Sequence, residues 1–274
     1  MKTLAGIVLY NPDIQRLKEN ISAIRNQVDQ IVFVDNGSTA PEQYQVLLNN
    51  TDIIIRSNKN EGIAAALNKV LQYAKDHHFD WFITLDQDSV CKEGLIAKYY
   101  KYIELPAVGI LTCNIIDRNF NTVNRIDKDY YEIKNCITSA SFCNTAAFAA
   151  IGGFDEWLFI DAVDFDVCSN LRANHYKIYH INFDGLLHEV GHGKKVWMFG
   201  EKIAYNHSPF RNYYIARNNL YLIHKYPDDF PLKRYITHEI IRELIILFYE
   251  NKKIKKISKR WKGIRDALQK MKEE

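Results

Sequence analysis

An α/β fold on a mainly parallel sheet is what this sequence predicts, and three observations predict it. Short apolar runs alternate with segments of helical spacing through the first 115 residues. The runs are compact and continuous, as strands buried on both faces are. Several of them end on polar or acidic turns, which gathers chemistry at one edge of the sheet.

Leu4–Tyr10 opens the series, and Asn11-Pro12 breaks it. Ile14, Leu17, Ile21, Ile24 and Val28 then recur at helical spacing. Ile31–Val34 is the second strand, ended by Asp35-Asn36-Gly37-Ser38. Ile53–Ile55 is the third, followed by an Ala-rich helical stretch over Gly62–Ala74. Trp81–Leu85 is the fourth, ended by Asp86-Gln87-Asp88. A helix over Glu93–Glu104 leads to a fifth strand at Val108–Leu111. The stretch 116–200 is less regular, with a Gly152-Gly153 turn, an acid-rich segment and a short strand at Ile178–Ile181. From Phe210 on the pattern is helical, with Pro227 and Pro231 separating two long helices. No internal repeat or low-complexity linker interrupts the chain. The expected organisation is one catalytic-sized domain over 1–225 and a helical extension over 226–274.

Composition narrows the function classes. The chain has 274 residues, 47% hydrophobic and 25% charged, with a net charge of +3. That is an ordinary globular balance and does not mark a nucleic-acid binder. Five scattered cysteines, odd in number and without a CxxC pair, read as free thiols in a reducing compartment. The opening MKTLAGIVLYNP carries one basic residue and a short apolar run, which suits a strand better than a signal peptide. No run reaches the length of a spanning helix. The expectation is a cytoplasmic protein that touches the inner face of the cell membrane.

Chemistry concentrates at the strand ends. Asp86 and Asp88, one residue apart after the fourth strand, can hold a hard divalent cation through oxygen ligands. Asp-x-Asp is also a common solvated turn, so its neighbours matter. Those neighbours include Val8-Leu9-Tyr10-Asn11, Val34-Asp35-Asn36-Gly37-Ser38 and Asn58-x-Asn60-x-Gly62-x-Ala64-x-Ala66-x-Asn68. Leu85-Asp86-Gln87-Asp88, Gly152-Gly153-Phe154-Asp155-Glu156 and Phe159-Ile160-Asp161-x-x-Asp164-x-Asp166 follow, and Tyr213-Tyr214-x-x-Arg217-Asn218 closes the series. In this order, over roughly residues 4–220, the chain resembles family 2 glycosyltransferases, and among them the bacterial rhamnosyltransferases that use dTDP-rhamnose.

The resemblance implies a GT-A fold and a set of roles. Asp35 would read the pyrimidine ring, with Asn11 lining the same pocket; Asp35 also suits a local Asx turn. Gly62, Asn68, Gln87 and Asp86 would border the donor, a dTDP- or UDP-sugar. Gly62, Ala64 and Ala66 serve tight helix–sheet packing equally well. Asp86, Asp88 and His188 would hold Mg²⁺ or Mn²⁺. Arg217 would grip the diphosphate or pair with an acid. Asp164 takes the position of the general base, and Asp161 is the rival. Family members often carry Glu-Asp-x-Asp where this chain reads Val163-Asp164-Phe165-Asp166. A helix over 161–173 would put Asp161 and Asp164 on one face. The implied reaction is inverting transfer to a lipid-linked saccharide acceptor in cell-surface polysaccharide synthesis.

Two readings compete with an enzyme of this kind. The missing Glu leaves room for a non-catalytic nucleotide-sugar-binding scaffold. His188-Glu189-Val190-Gly191-His192 matches HExxH, but the glycines around it argue against the helix a zinc metallohydrolase needs. Finally, Lys252–Arg265 carries eight basic residues and no acid, with Ile254, Ile257, Trp261 and Ile264 at helical spacing. A basic amphipathic helix of this kind suits an anionic membrane surface. It also suits a solvated terminal helix.

Overall fold

The structure is a computed structural model that describes residues 1–117, 127–188 and 193–273, with only the backbone of Asp117 and His188. It divides into two compact units. The first comprises Met1–Trp157 and Val163–Val190, the second Leu158–Ala162 and Gly191–Glu274.

In chain order the first unit runs β1 (Thr3–Leu9), α1 (Ile14–Ile24), β2 (Gln30–Asp35), α2 (Glu42–Gln45), β3 (Ile53–Arg56), α3 (Ile63–Asp76) and β4 (Trp81–Asp86). Then come β5 (Val90–Cys91), α4 (Leu95–Tyr100), β6 (Val108–Asp117), β7 (Tyr130–Ile133), β8 (Ser141–Asn144), α5 (Thr145–Ala150), α6 (Val163–Ala173) and β9 (Lys177–His188). The sheet order is β3-β2-β1-β4-β8-β6-β9-β5, with β7 pairing β9. Strands β1 to β4 are mutually parallel, and β8 lies antiparallel between β4 and β6.

Every residue of β1 is buried, and in β2 all but the first are, which is why these segments lack period-2 alternation. Leu17, Ile21 and Ile24 pack α1 on one face of the sheet, in a core with Phe33, Trp81 and Phe142. The parallel register sets Leu9 beside Asp35 and Val8 beside Asp86. Asp35 and Asp86 therefore finish adjacent strands at one edge.

Two strands run far past their expected ends, β6 over ten residues and β9 over twelve. Their extensions carry Asn114, Asn182 and Asp184, polar residues that satisfy one another. Asn114 Nδ2 donates to Asn182 Oδ1 at 3.1 Å and to Asp184 Oδ1 at 3.0 Å. His180 Nε2 lies 2.6 Å from Asn114 Oδ1, and the imidazole stacks on Tyr131.

The second unit holds the hairpin β10 (Lys194–Trp197) and β11 (Glu201–Ala204), then α7 (Pro209–Lys225), α8 (Leu232–Tyr249) and α9 (Lys253–Glu273). Ser208 caps α7 by accepting from Arg211 N, with Pro209 in the first turn. α7 belongs with α9, not with the sheet, so the unit begins well before the boundary at 225. Gly263 is the reason the two helices approach closely: a Cβ there would come 2.3 Å from Tyr213 O. Among the described residues no helix is long and apolar enough to cross a membrane.

The C-terminal helix turns unexpected side chains inward. Lys256 and Arg260 are buried, with Gly263 and Ala267. Arg260 bonds Glu239, and its Nε reaches Glu243 at 2.7 Å. Lys256 Nζ donates to Glu250 Oε2 at 2.7 Å. The row Ile254, Ile257, Trp261 and Ile264 is divided: Ile254 and Trp261 are exposed, and the other two are half-buried. Ion pairs with the acids of α8, invisible in the local pattern, set this rotation of the helix.

Candidate active site

The carboxyl ends of β1, β2 and β4 build one polar edge. After β1, Asn11 takes a left-handed backbone, φ 47°. Its N–H donates to Ser38 Oγ at 2.9 Å, and its Oδ1 accepts from both Thr39 N and Thr39 Oγ1 at 2.9 Å. The loops after β1 and β2 are thereby tied together.

Asp35 is buried at the end of β2. Its Oδ1 accepts from Ser38 N at 2.9 Å, an Asx turn, and its Oδ2 accepts from Tyr44 OH at 2.7 Å. Burial first, then this bond to the carboxylate, pushes the Tyr44 phenol well above its ordinary range. Each carboxylate oxygen has a second lone-pair direction, so a further N–H remains acceptable. Asn36 closes the floor: its Nδ2 donates to Gly62 O and Asn60 Oδ1, both at 3.1 Å. Gly62 itself adopts φ 93°, which glycine alone takes without strain, and starts α3. Ala64, Ala65 and Ala66 are buried, so they serve packing.

The Asp86-Gln87-Asp88 turn is pinned from three sides. Asn20 Nδ2, from α1, donates to Asp86 O at 2.6 Å. Asp86 N donates to Ser139 Oγ at 3.3 Å, and Ser139 Oγ lies 2.7 Å from Ser89 Oγ. Gln87 Oε1 accepts from Tyr10 N at 2.8 Å, which locks the turn to the residue before Asn11. Both aspartates are half-buried. Two oxygen-donor carboxylates on a fixed turn suit Mg²⁺ or Mn²⁺ and leave most of the coordination sphere to waters and phosphate oxygens. Among the described residues no three His, Cys, Asp or Glu side chains cluster as a metal site. The side chain of His188 and all of Glu189–His192 lie outside the described residues. The backbone of His188 ends a strand, not a helix, which removes the helical context of HExxH.

Asn68, on α3, reaches the backbone beyond the Gly152-Gly153 turn. Its Oδ1 accepts from Phe154 N at 2.8 Å, and its Nδ2 donates to Phe154 O at 2.9 Å and Glu156 Oε1 at 2.8 Å. It holds the Gly152-Gly153 turn, where Gly153 (φ 80°) leaves no room for a Cβ, 2.6 Å from Asn68 Oδ1.

Asp164 is half-buried in the first turn of α6, where the free N–H groups and the helix dipole favour negative charge. Asp161 is not on that helix, which starts at Val163. Phe159, Asp161 and Ala162 have φ of 62°, 63° and 66°, left-handed for all three. The segment Leu158–Ala162 belongs to the second unit, and that unit explains the strain. Asn218 Nδ2 donates at 2.8 Å to the carbonyls of Leu158, Ile160 and Asp161. Arg211 grips Asp161: Nε is 3.1 Å from both oxygens and Nη2 2.8 Å from Oδ1. Phe159 stacks on Tyr214 at 4.8 Å.

Arg217, a candidate diphosphate ligand, is 7% exposed. Its Nη2 donates to Leu158 O at 3.1 Å, its Nε donates to Asn218 Oδ1 at 2.9 Å, and its guanidinium lies 4.6 Å over the Tyr214 ring. Burial lowers its pKa from the usual value. In the second unit Arg217 thereby ties α7 to the Leu158–Ala162 segment.

Sequence reasoning missed Asn20, Ser139 and the Asn114–Asp184 network. A cavity of about 790 Å³, lined by Met1, His78, Asp80 and Glu104 among others, sits at the opposite, amino-terminal edge of β1 and β4. Ligand chemistry in such sheets belongs to the carboxyl edge, where the pinned aspartates are.

Residues 5–154 match the family model described as Glycosyl transferase family 2. The dTDP-rhamnosyl transferase RfbF of Shigella flexneri is 29% identical over 93% of this chain and 91% of its own length. Among solved structures, TarS of S. aureus superposes over 98% of this chain and 43% of its own, with a TM-score of 0.58 and 16% identity. GalNAc-T7, solved with UDP, GalNAc and Mn²⁺, covers 80% of this chain and 51% of its own, with a TM-score of 0.56 and 14% identity. The chain thus spans about half or less of these two proteins, and at such identities the likeness speaks to the fold.

Proposed function

Because the chain belongs to glycosyl transferase family 2 and carries its GT-A fold, we propose that this glycosyltransferase moves rhamnose from dTDP-rhamnose to an acceptor hydroxyl, with inversion at the anomeric carbon. The observation that carries the donor is the near full-length likeness to a dTDP-rhamnosyl transferase. The pinned edge of Asn11, Asp35 and Asp86–Asp88 is consistent with it, because it offers a buried carboxylate for a pyrimidine N–H and two carboxylates beside it for a diphosphate-bound cation.

The reaction is a single displacement. The acceptor oxygen attacks the anomeric carbon while the bond to the diphosphate oxygen breaks, and the electron pair leaves with dTDP. Asp164 takes the proton that the acceptor hydroxyl loses. Asp35 orients the base, Asn11 and the Gly62 turn shape the pocket around it, and Gln87 keeps that pocket in register with the aspartates. Asp86 and Asp88, with His188 as a third ligand, would hold Mg²⁺ or Mn²⁺, whose positive charge would ease departure of the diphosphate. The acceptor is a lipid-linked saccharide in a cell-surface polysaccharide such as an O-antigen. The enzyme works peripherally on the cytoplasmic face of an anionic membrane, to which its basic C-terminus suits it.

The test is a donor panel of dTDP-rhamnose, UDP-glucose, UDP-GlcNAc and UDP-galactose with Mg²⁺ and a lipid-extract acceptor pool, read by mass spectrometry. A deoxyhexose added from dTDP-rhamnose alone supports the reading. Turnover of a UDP-sugar without turnover of dTDP-rhamnose overturns the donor assignment.

A further inference from the structure

The helices α8 and α9 present a surface that the proposed chemistry does not use. They run antiparallel, since only residues 250–252 join them and Arg260 reaches back to Glu239 and Glu243. Each helix carries an exposed apolar row. On α8 it is Ile236, Ile240 and Leu247, exposed by 49%, 56% and 42%. On α9 it is Ile254, Trp261 and Leu268, exposed by 85%, 64% and 46%.

The ion pairs fix where these rows lie. Ile240 directly follows Glu239, and Trp261 directly follows Arg260. One residue is a turn of about 100° about a helix axis, so both rows sit a quarter-turn from the paired faces, in the same rotational sense. Two antiparallel helices that face each other and are displaced in the same sense bring their rows to the same side. The hairpin therefore carries one continuous apolar face, bordered by the half-buried Leu244, Ile257 and Ile264.

Its polar border has one sign. Lys233, Arg265 and Lys272 are exposed around the rows, whereas the Lys262 ammonium lies over the Tyr213 ring of α7. Most acids of the hairpin are engaged away from them. Glu239 and Glu243 pair with Arg260, Glu250 with Lys256, and Asp266 accepts from Tyr213 OH at 2.8 Å. Arg265 lies 3.7 Å from Asp266 but is 74% exposed, so its charge still faces water. A second copy of this chain would set the same cations against one another, which disfavours pairing. An anionic lipid surface meets both features, with phosphates for the lysines and a headgroup boundary for tryptophan and isoleucine.

We propose that this face of the α8–α9 hairpin docks the enzyme on an anionic lipid bilayer. The inference deepens the membrane placement given under Proposed function and does not depend on the donor sugar. It also moves the contact from a lone C-terminal helix to a two-helix face.

The experiment uses the full chain, because α9 packs on α7 and its removal would expose that packing. Sedimentation is measured with vesicles of phosphatidylglycerol and phosphatidylethanolamine, and with phosphatidylcholine alone, at low and high salt. The wild type should prefer the anionic vesicles by more than about tenfold and lose that preference at high salt. Two variant sets remove one feature each: Ile240→Ser with Ile254→Ser and Trp261→Ser, and Lys233→Gln with Arg265→Gln and Lys272→Gln. All six sites are exposed, and melting curves verify that the fold persists. Each set should weaken vesicle binding by more than about tenfold while turnover of a soluble acceptor is kept. No binding by the wild type, or undiminished binding by both folded sets, overturns the proposal. A concentration-dependent dimer that the apolar set abolishes, without vesicle binding, assigns the face to a second copy and also overturns it. Failure of dTDP-rhamnose turnover with vesicle binding intact would touch only the donor reading.

Discussion

Asp164 and Asp161 stand three positions apart, yet their surroundings differ in kind. Arg211 occupies both oxygens of Asp161, whereas Asp164 lies half-buried at a helix start. Asp164→Asn should therefore leave donor binding nearly unchanged and cut turnover by about 10²-fold or more, the scale of a lost general base. Asp161→Asn should cost less turnover and show mainly as a lower melting temperature, since it weakens the Arg211 grip. Calorimetry of donor binding beside steady-state rates separates the two, and a larger rate loss at Asp161 would reverse the assignment. At the Asp86-Gln87-Asp88 turn, Asp86→Ala and Asp88→Ala should each remove most activity with little change in melting, because both are edge residues. Rates with Mg²⁺ or Mn²⁺ and with excess chelator check this, and full activity in chelator would refute it. Asp35, Asp86 and Asp88 were legible because a buried strand that stops at an acid announces itself. Asn20 and Ser139 were not, because they act on the backbone of a turn 66 and 53 positions away.

Elements were legible where one sheet face or one helix stripe set the pattern. β1, β2 and β4 fall within about two residues of their apolar runs. β6 and β9 ran on because their interior polar residues bond one another, a pairing no local window contains. α9 is the sharper lesson. Arg260 reads as solvent-facing but is fully buried, since its partners sit on α8. Arg260→Met should destabilise the second unit by roughly 3–5 kcal/mol, the cost of leaving partly buried acids without their cation. Chemical denaturation followed by helical signal measures it. Restoration by Glu239→Gln with Glu243→Gln would identify unpaired charge, not lost packing, as the cause.

For the molecule as a whole, the second unit carries a pH dependence of its own. Burial, reinforced by Arg211 and Arg242, lowers His207 to about 4. In the unfolded chain a histidine takes its proton near pH 6.5. As pH falls through the window from about 6.5 to 4, the unfolded state binds the proton first, so stability declines; above that window this contribution is flat. Melting near pH 7 and near pH 5 should show the loss, and His207→Gln should reduce it. An unchanged slope in the variant would place the dependence elsewhere. The family-sized sheet was visible in the sequence, but the allocation of Leu158–Ala162 was not. Its five residues interrupt the first unit and fold with a helix some fifty positions later.

That interleaving limits how such an enzyme can be rebuilt. A chimaera joined at the end of β9 would graft a foreign C-terminal segment beneath a strap shaped by Asn218, Arg211 and Tyr214 of the original. Phe159, Asp161 and Ala162 would keep their left-handed backbone without the partners that hold it, and the residue opening α6 next door would inherit the slack. Swaps between relatives should therefore carry Leu158–Ala162 with the C-terminal segment as one inheritance, although the two pieces are not contiguous in the gene.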